Sequence, residues 1–251
     1  MNAESRFHAY DAAKARAEAP VPLLIGLVGP SSSGKTYSAL RLATGIQEIV
    51  GGEIFVVDTE QRRALHYSDK FRFKHVNFQA PYGPLDYLEA LRFCKAQGAG
   101  VVIIDSCSHE HDGPGGLLEQ HEAELDRIAG QDYKQRDKKS MVAWAKVKPG
   151  RRKLINAITT ELNMPVIFCF RAKETTKPVK NDQTGKVEPI DYGFSVIGAP
   201  EWMFEMALNC LLMPGSNGFP TWHSDKRGEQ LAIKLPEQFR GLADRNRQLD
   251  E

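Results

Sequence analysis

Apolar runs at 22–28, 53–57, 101–105, 166–170 and 206–212 are nearly unbroken and far too short to cross a membrane. Runs of that length, rich in Val, Ile and Phe and bounded by Gly or polar residues, predict strands buried on both faces. A shorter segment at 72–78 alternates apolar and polar positions, as a more exposed strand does. Helical spacing appears between the runs. Residues 34–48 place Tyr37, Leu40, Leu42 and Ile46 on overlapping faces, and Pro84 opens a second helix that Gly98 and Gly100 end. Further helices are expected at 4–18, 117–128 and around 150–162. Residues 130–141 are polar without a period and are expected to form a mobile loop. An exposed excursion is expected at 172–193, with a hairpin tip at Asn181-Asp182-Gln183-Thr184-Gly185.

Strand–helix alternation of this kind predicts an α/β domain: a mostly parallel, twisted sheet with helices on both faces. The expected division is a helical arm over 1–20, the main domain over 21–213, and an extension over 214–251 that packs on or trails the same domain. In an open parallel sheet, ligands sit at the carboxyl ends of the strands. The residues just after each apolar run therefore matter most.

The first run leads into Gly29-Pro30-Ser31-Ser32-Ser33-Gly34-Lys35-Thr36, which fits the phosphate-binding pattern G-x-x-x-x-G-K-[ST] without mismatch. The small residues let successive backbone N–H groups face a phosphate, and the following helix aims its positive end at the same oxygens. Lys35 can reach the β- and γ-phosphates, and the Thr36 hydroxyl can ligate Mg²⁺. Tyr37 is grouped with this loop as a nucleotide-contact candidate. The 101–105 run ends at Asp105, placed to hold Mg²⁺-bound water beside Thr36. Ser106 follows it, so a carboxylate that polarises attacking water must come from elsewhere. Glu60, after the second strand, is the first candidate and Glu110 the second.

With a net charge of +1 over 251 residues, no global field points to nucleic acid. A local basic concentration does run from Lys134 to Lys153, with Tyr133 and Trp144 beside it. Such a patch suits single-stranded nucleic acid or is simply a solvated face. Cys94, Cys107, Cys169 and Cys210 form no CxxC pair and read as reduced thiols. His109, His111 and His121 offer a His-x-His grip for zinc, with no Cys pair to complete it. The start of the chain lacks a signal-peptide pattern, so the expected compartment is the cytoplasm.

Taken together, the Gly29–Thr36 loop, Phe55-Val56-Val57-Asp58-Thr59-Glu60 and Val102-Ile103-Ile104-Asp105-Ser106 resemble the RecA-like P-loop ATPase core. Ser108-His109-Glu110, Gly113–Gly116 and Phe168-Cys169-Phe170-Arg171-Ala172-Lys173 are further similar to single-domain phage-encoded AAA-family ATPases linked to recombination or replication. The resemblance implies ATP and Mg²⁺ as ligands, Glu60 as the water-activating base and Asp105 as the metal acid. Arg171, with Lys173 two residues on, stands where that family places a polar γ-phosphate sensor. Segments 107–116 and 172–193 correspond to its DNA-contacting loops. The resemblance also implies a homo-oligomer, phage recombination or replication proteins as partners, and the bacterial host cytoplasm. A small-molecule or nucleotide kinase, and an ATP-gated assembly protein that does not bind DNA, remain alternatives.

Overall fold

The computed structural model describes residues 9, 11–18, 21, 23–180, 185–244 and 248–249. Its centre is an eight-stranded sheet. In chain order the strands are β1 (Leu24–Gly29), β2 (Glu53–Asp58), β3 (Lys74–Asn77), β4 (Ala99–Asp105), β5 (Val166–Lys180), β6 (Val187–Val196), β7 (Leu208–Leu212) and β8 (Pro220–Thr221). Across the sheet they run β3-β2-β4-β5-β1-β7-β8, with β6 paired to β5 off this path. The pairs from β3 to β7 are parallel, while β8 joins β7 and β6 joins β5 antiparallel. The strand carrying the loop motif thus lies between β5 and β7, deep in the sheet.

Period-two alternation explains how continuous apolar runs fill two cores. Leu24, Val28, Phe55, Val57, Val102, Ile104, Phe168 and Phe170 face one layer, which contains α3 (Pro84–Ala96) and the end of α6 (Tyr133–Ala157). Ile25, Leu27, Ile54, Val56, Val101, Ile103, Ile167 and Cys169 face the other, against α2 (Lys35–Val50). Trp202, on the short helix Pro200–Glu205 that the sequence pattern did not reveal, packs its ring 5.2 Å from that of Phe168. All four cysteines are buried and unpaired.

One expectation needs correction. Residues 130–141 form no loop: from Tyr133 they are the first half of the 25-residue α6. Asp132 caps that helix by accepting from Lys134 N (2.9 Å) and Gln135 N (3.3 Å). Its polar residues are satisfied against α5 (Leu117–Ala129): Arg136 pairs with both Glu122 and Asp126, and Lys139 Nζ donates to Ile128 O at 2.6 Å. The helix therefore starts well before the expected position near 150 and runs through Pro149. The excursion at 172–193 is the exposed hairpin that its sequence suggests: β5 and β6 pair antiparallel from Ala172–Val196 to Lys180–Val187. Residues 181–184 of its expected tip, and 4–8 and 10 of the expected N-terminal helix, lie outside the described residues, among which that helix is Ala12–Glu18.

After β7 the chain stays on the sheet. β8 pairs with β7, Asn209 bridges to Lys234, and the Arg227–Ala232 helix packs against β6, where Glu229 Oε1 accepts from Phe194 N at 3.1 Å. No helix among the described residues is long and apolar enough to cross a membrane.

Candidate functional site

The loop between β1 and α2 has the conformation its glycines permit. Gly34 caps α2 at φ 90° and Ser32 sits at φ 62°, both left-handed. A Cβ on Gly29 would meet Ser33 Oγ and lie 2.5 Å from Leu212 O of β7, so only glycine lets the strand turn there. Lys35 folds back along the loop, with Nζ donating to Gly29 O at 2.9 Å and Pro30 O at 2.7 Å. Burial lowers its ammonium from the ordinary value, while Asp105 and Glu60 pull the other way. Ser33 Oγ is buried and has no hydrogen-bond partner among the described residues. A loop with an orphaned hydroxyl, its ammonium on loop carbonyls and a free helix N-terminus has the donor set a polyphosphate requires.

The other strand ends converge here. Because β1 is separated from β4 by β5 alone, the α2 start meets the β4 end: Thr36 Oγ1 donates to Asp105 Oδ2 at 2.5 Å. Burial pushes the Asp105 carboxyl up to about 6, opposed by the Thr36 hydrogen bond and the Lys35 charge. A buried carboxylate touching the loop hydroxyl fits a divalent cation, whose charge would offset that burial. On the β2 side Asp58 is structural. It accepts from Glu60 N (2.7 Å), Ala64 N (3.0 Å) and His75 Nε2 (3.0 Å), and so shapes the turn that presents Glu60. From the end of β5, Arg171 grips Glu60 with Nε–Oε1 at 2.7 Å and Nη2–Oε2 at 2.8 Å.

Together these groups enclose a cavity of about 540 Å³, lined by Ser31–Thr36, Glu60, Asp105, Arg171 and the turn after β2. A family model of the AAA domain matches residues 22–192, more than half of the chain. The chain belongs to the AAA domain family. No curated protein matches it. The matched span takes in every strand end just described. It supports an AAA-type P-loop ATPase domain that binds nucleotide.

Within this AAA domain several candidates are placed elsewhere. Tyr37 does not line the cavity; it packs edge-on against Tyr67 (5.7 Å) and Phe71 (5.2 Å). Tyr67, with Arg63 and His66, does line it. Sequence reading passed over these three because the 63–67 turn has no apolar period. Its polar cluster directly after Glu60 was the available signal.

Glu110 is not available to water. It is fully buried on the short helix His109–Asp112, where Arg151 grips it through Nε (2.9 Å) and Nη2 (2.5 Å). That arrangement removes the second candidate base, since a base must reach solvent or substrate. The histidines also separate. His109 Nδ1 lies 2.7 Å from Thr59 Oγ1, next to Glu60, and His109 stacks on Tyr82. His111 faces Arg151, and His121 stacks on Trp144 at 4.2 Å. Three rings with three different partners do not converge on one ion.

Proposed function

We propose that this AAA domain is a Mg²⁺-dependent, RecA-like ATPase that works on single-stranded DNA as a homo-oligomer, in phage recombination or replication. The observation that carries the catalytic part is the Arg171–Glu60 fork among the residues that line the loop cavity. In this reading a base and a cation held together in the wall of the loop cavity serve the terminal phosphate.

Each residue then has a part. The N–H groups of Ser31 to Thr36 and the Lys35 ammonium bind the phosphate chain, with Lys35 exchanging its loop carbonyls for phosphate oxygens. Thr36 and Asp105 are the residues that would hold Mg²⁺, which when bound neutralises charge on the phosphates. Tyr67 and His66 offer aromatic edges to the base. Arg171 leaves Glu60 for the terminal phosphate, where charge accumulates on the way to the transition state. The freed Glu60 carboxylate accepts a hydrogen bond from water and takes its proton as the oxygen attacks phosphorus; ADP leaves with the bond electrons. Thr59 and His109 keep Glu60 in register with β4, since Ser106 N donates to Thr59 Oγ1 at 2.8 Å.

Support for DNA comes from β5 itself. Beyond Arg171 the same strand carries exposed Lys173, Lys177 and Lys180 outward from the site. Phosphate release from ATP, measured with and without single-stranded DNA, tests the whole reading. Glu60→Gln is expected to keep ATP binding and lose turnover. Phosphate release that requires a small-molecule acceptor would replace this reading with a kinase.

A further inference from the structure

The long helix α6 carries a feature the catalytic site does not use. Of the cations between Lys134 and Lys153, three serve the fold. Arg136 is tied to Glu122 and Asp126, Lys139 to the Ile128 carbonyl, and Arg151 to the buried Glu110. All three point toward α5 or the core. The others, Lys134, Lys138, Lys146, Lys148, Arg152 and Lys153, are exposed.

Their spacing sorts them further. Lys134, Lys138, Met141, Ala145, Lys148 and Arg152 follow the i, i+4, i+7, i+11 progression that draws one stripe along a helix. Every member of the stripe is exposed, Met141 at 84%. Two cations thus sit at each end, with two uncharged side chains between them, over about 27 Å at 1.5 Å per residue. A stripe of like charges along a helix is unfavourable by itself. The only acid in this span is Asp137, so the repulsion is not balanced within the helix. In a chain of net charge +1, the concentration is local. At one end of the stripe, Lys148 Nζ lies 5.7 Å from the Trp144 ring, which partners a cation with an aromatic face.

We propose that this outward face of α6 carries the phosphodiester backbone of single-stranded DNA. The inference rests on the DNA reading above, but it names a surface distinct from the β5–β6 hairpin. The chemistry is counterion release: each ammonium or guanidinium displaces cations condensed on the strand. The uncharged centre at Met141 and Ala145 faces sugars and bases, which need no countercharge. Arg151 lies on the same helix as this face, so the track is anchored through Glu110 to the helix that follows the Asp105 strand.

The test uses the full chain and a fluorescein-labelled oligo(dT), with anisotropy read over a salt series, with and without ATP. Replacing Lys134, Lys138, Lys148 and Arg152 together by Gln is expected to reduce the slope of log K against log salt by about 3, at about 0.7 per phosphate contact. Affinity at 100 mM salt is expected to fall at least about tenfold, with DNA-free phosphate release unchanged. Arg136→Gln, a charge removed from the inner face of the same helix, is expected to leave the slope alone. An unchanged slope in the fourfold variant, with binding lost instead in Lys173→Gln/Lys177→Gln/Lys180→Gln, would overturn the α6 surface and leave the DNA reading standing. Absence of oligo(dT) binding by the parent protein at low salt would remove both.

Discussion

Arg171 holds Glu60 by two parallel hydrogen bonds, 2.7 and 2.8 Å long, between residues 111 apart in the chain. A bidentate pair of this kind fixes two planes as well as two charges. It leaves neither group free while it lasts. The Arg171→Ala variant is therefore expected to lose about 10²-fold or more in kcat, with KM for ATP changed only a few-fold. Arg171→Lys should not restore the rate, because an ammonium cannot form the fork. Steady-state phosphate release checks both, and parental turnover in either variant would reduce the pair to a surface contact.

Lys35 is the one cation within the loop, and its present partners are carbonyls that a ligand can replace. Lys35→Ala is expected to abolish ATP binding in titration calorimetry. The melting midpoint without nucleotide should hold or rise, since a buried ammonium carries a desolvation cost. A clear drop in that midpoint would mean that Lys35 is there to brace the loop.

The Glu110–Arg151 pair is buried, with side-chain exposures of 0% and 7%. Arg151→Ala would strand a carboxylate in the core and is expected to cost about 3–5 kcal/mol in urea denaturation. Replacing both partners by apolar residues, Glu110→Leu with Arg151→Met, should recover most of that loss. Equal damage from the single and double changes would show that shape, not charge, matters at this point.

Acid is expected to weaken the fold through two histidines. Burial lowers both His109 and His111 below the ordinary 6.5, with Arg171 and Arg151 respectively pushing the same way. Glu60 and Asp112 oppose this at His109; Glu110, Asp112 and Glu201 do so at His111. The unfolded chain therefore takes up protons near pH 6.5 before the folded one does. The stabilisation is present above 6.5 and is lost as pH falls through the lowered values. Asp105 works in the opposite sense between 3.8 and about 6, so each variant must be read against the parent. His109→Gln with His111→Gln should flatten the decline of the melting midpoint between pH 7 and 5.5. An equally steep decline would assign it to other groups.

The sheet was legible in the sequence because its strands are buried on both faces. Leu24–Val28, Ile54–Val57 and Val101–Ile104 leave no polar position to confuse the pattern. The loop was legible because its chemistry is local, confined to consecutive residues from Gly29 to Thr36. Residues that act through distant partners were harder. Glu60 and Glu110 look alike on the page, each acidic and close after a strand. Only the partner separates them: Arg171 at the cavity in one case, Arg151 in the core in the other. The α6 helix hid for a related reason. Its first half is held by Asp132 and by acids on α5, so that stretch shows little apolar period, and Pro149 suggests a break.

β5 is a single strand of fifteen residues. Its first six residues, Val166 to Arg171, pair with β1 in the sheet; the remainder extends into the hairpin with β6. An extended strand rises about 3.3 Å per residue, so the path from Arg171 to Lys180 is close to 30 Å. Arg171 is the last residue that β1 holds before the hairpin begins at Ala172. One covalent strand therefore joins the guanidinium at the cavity to the lysines of the hairpin.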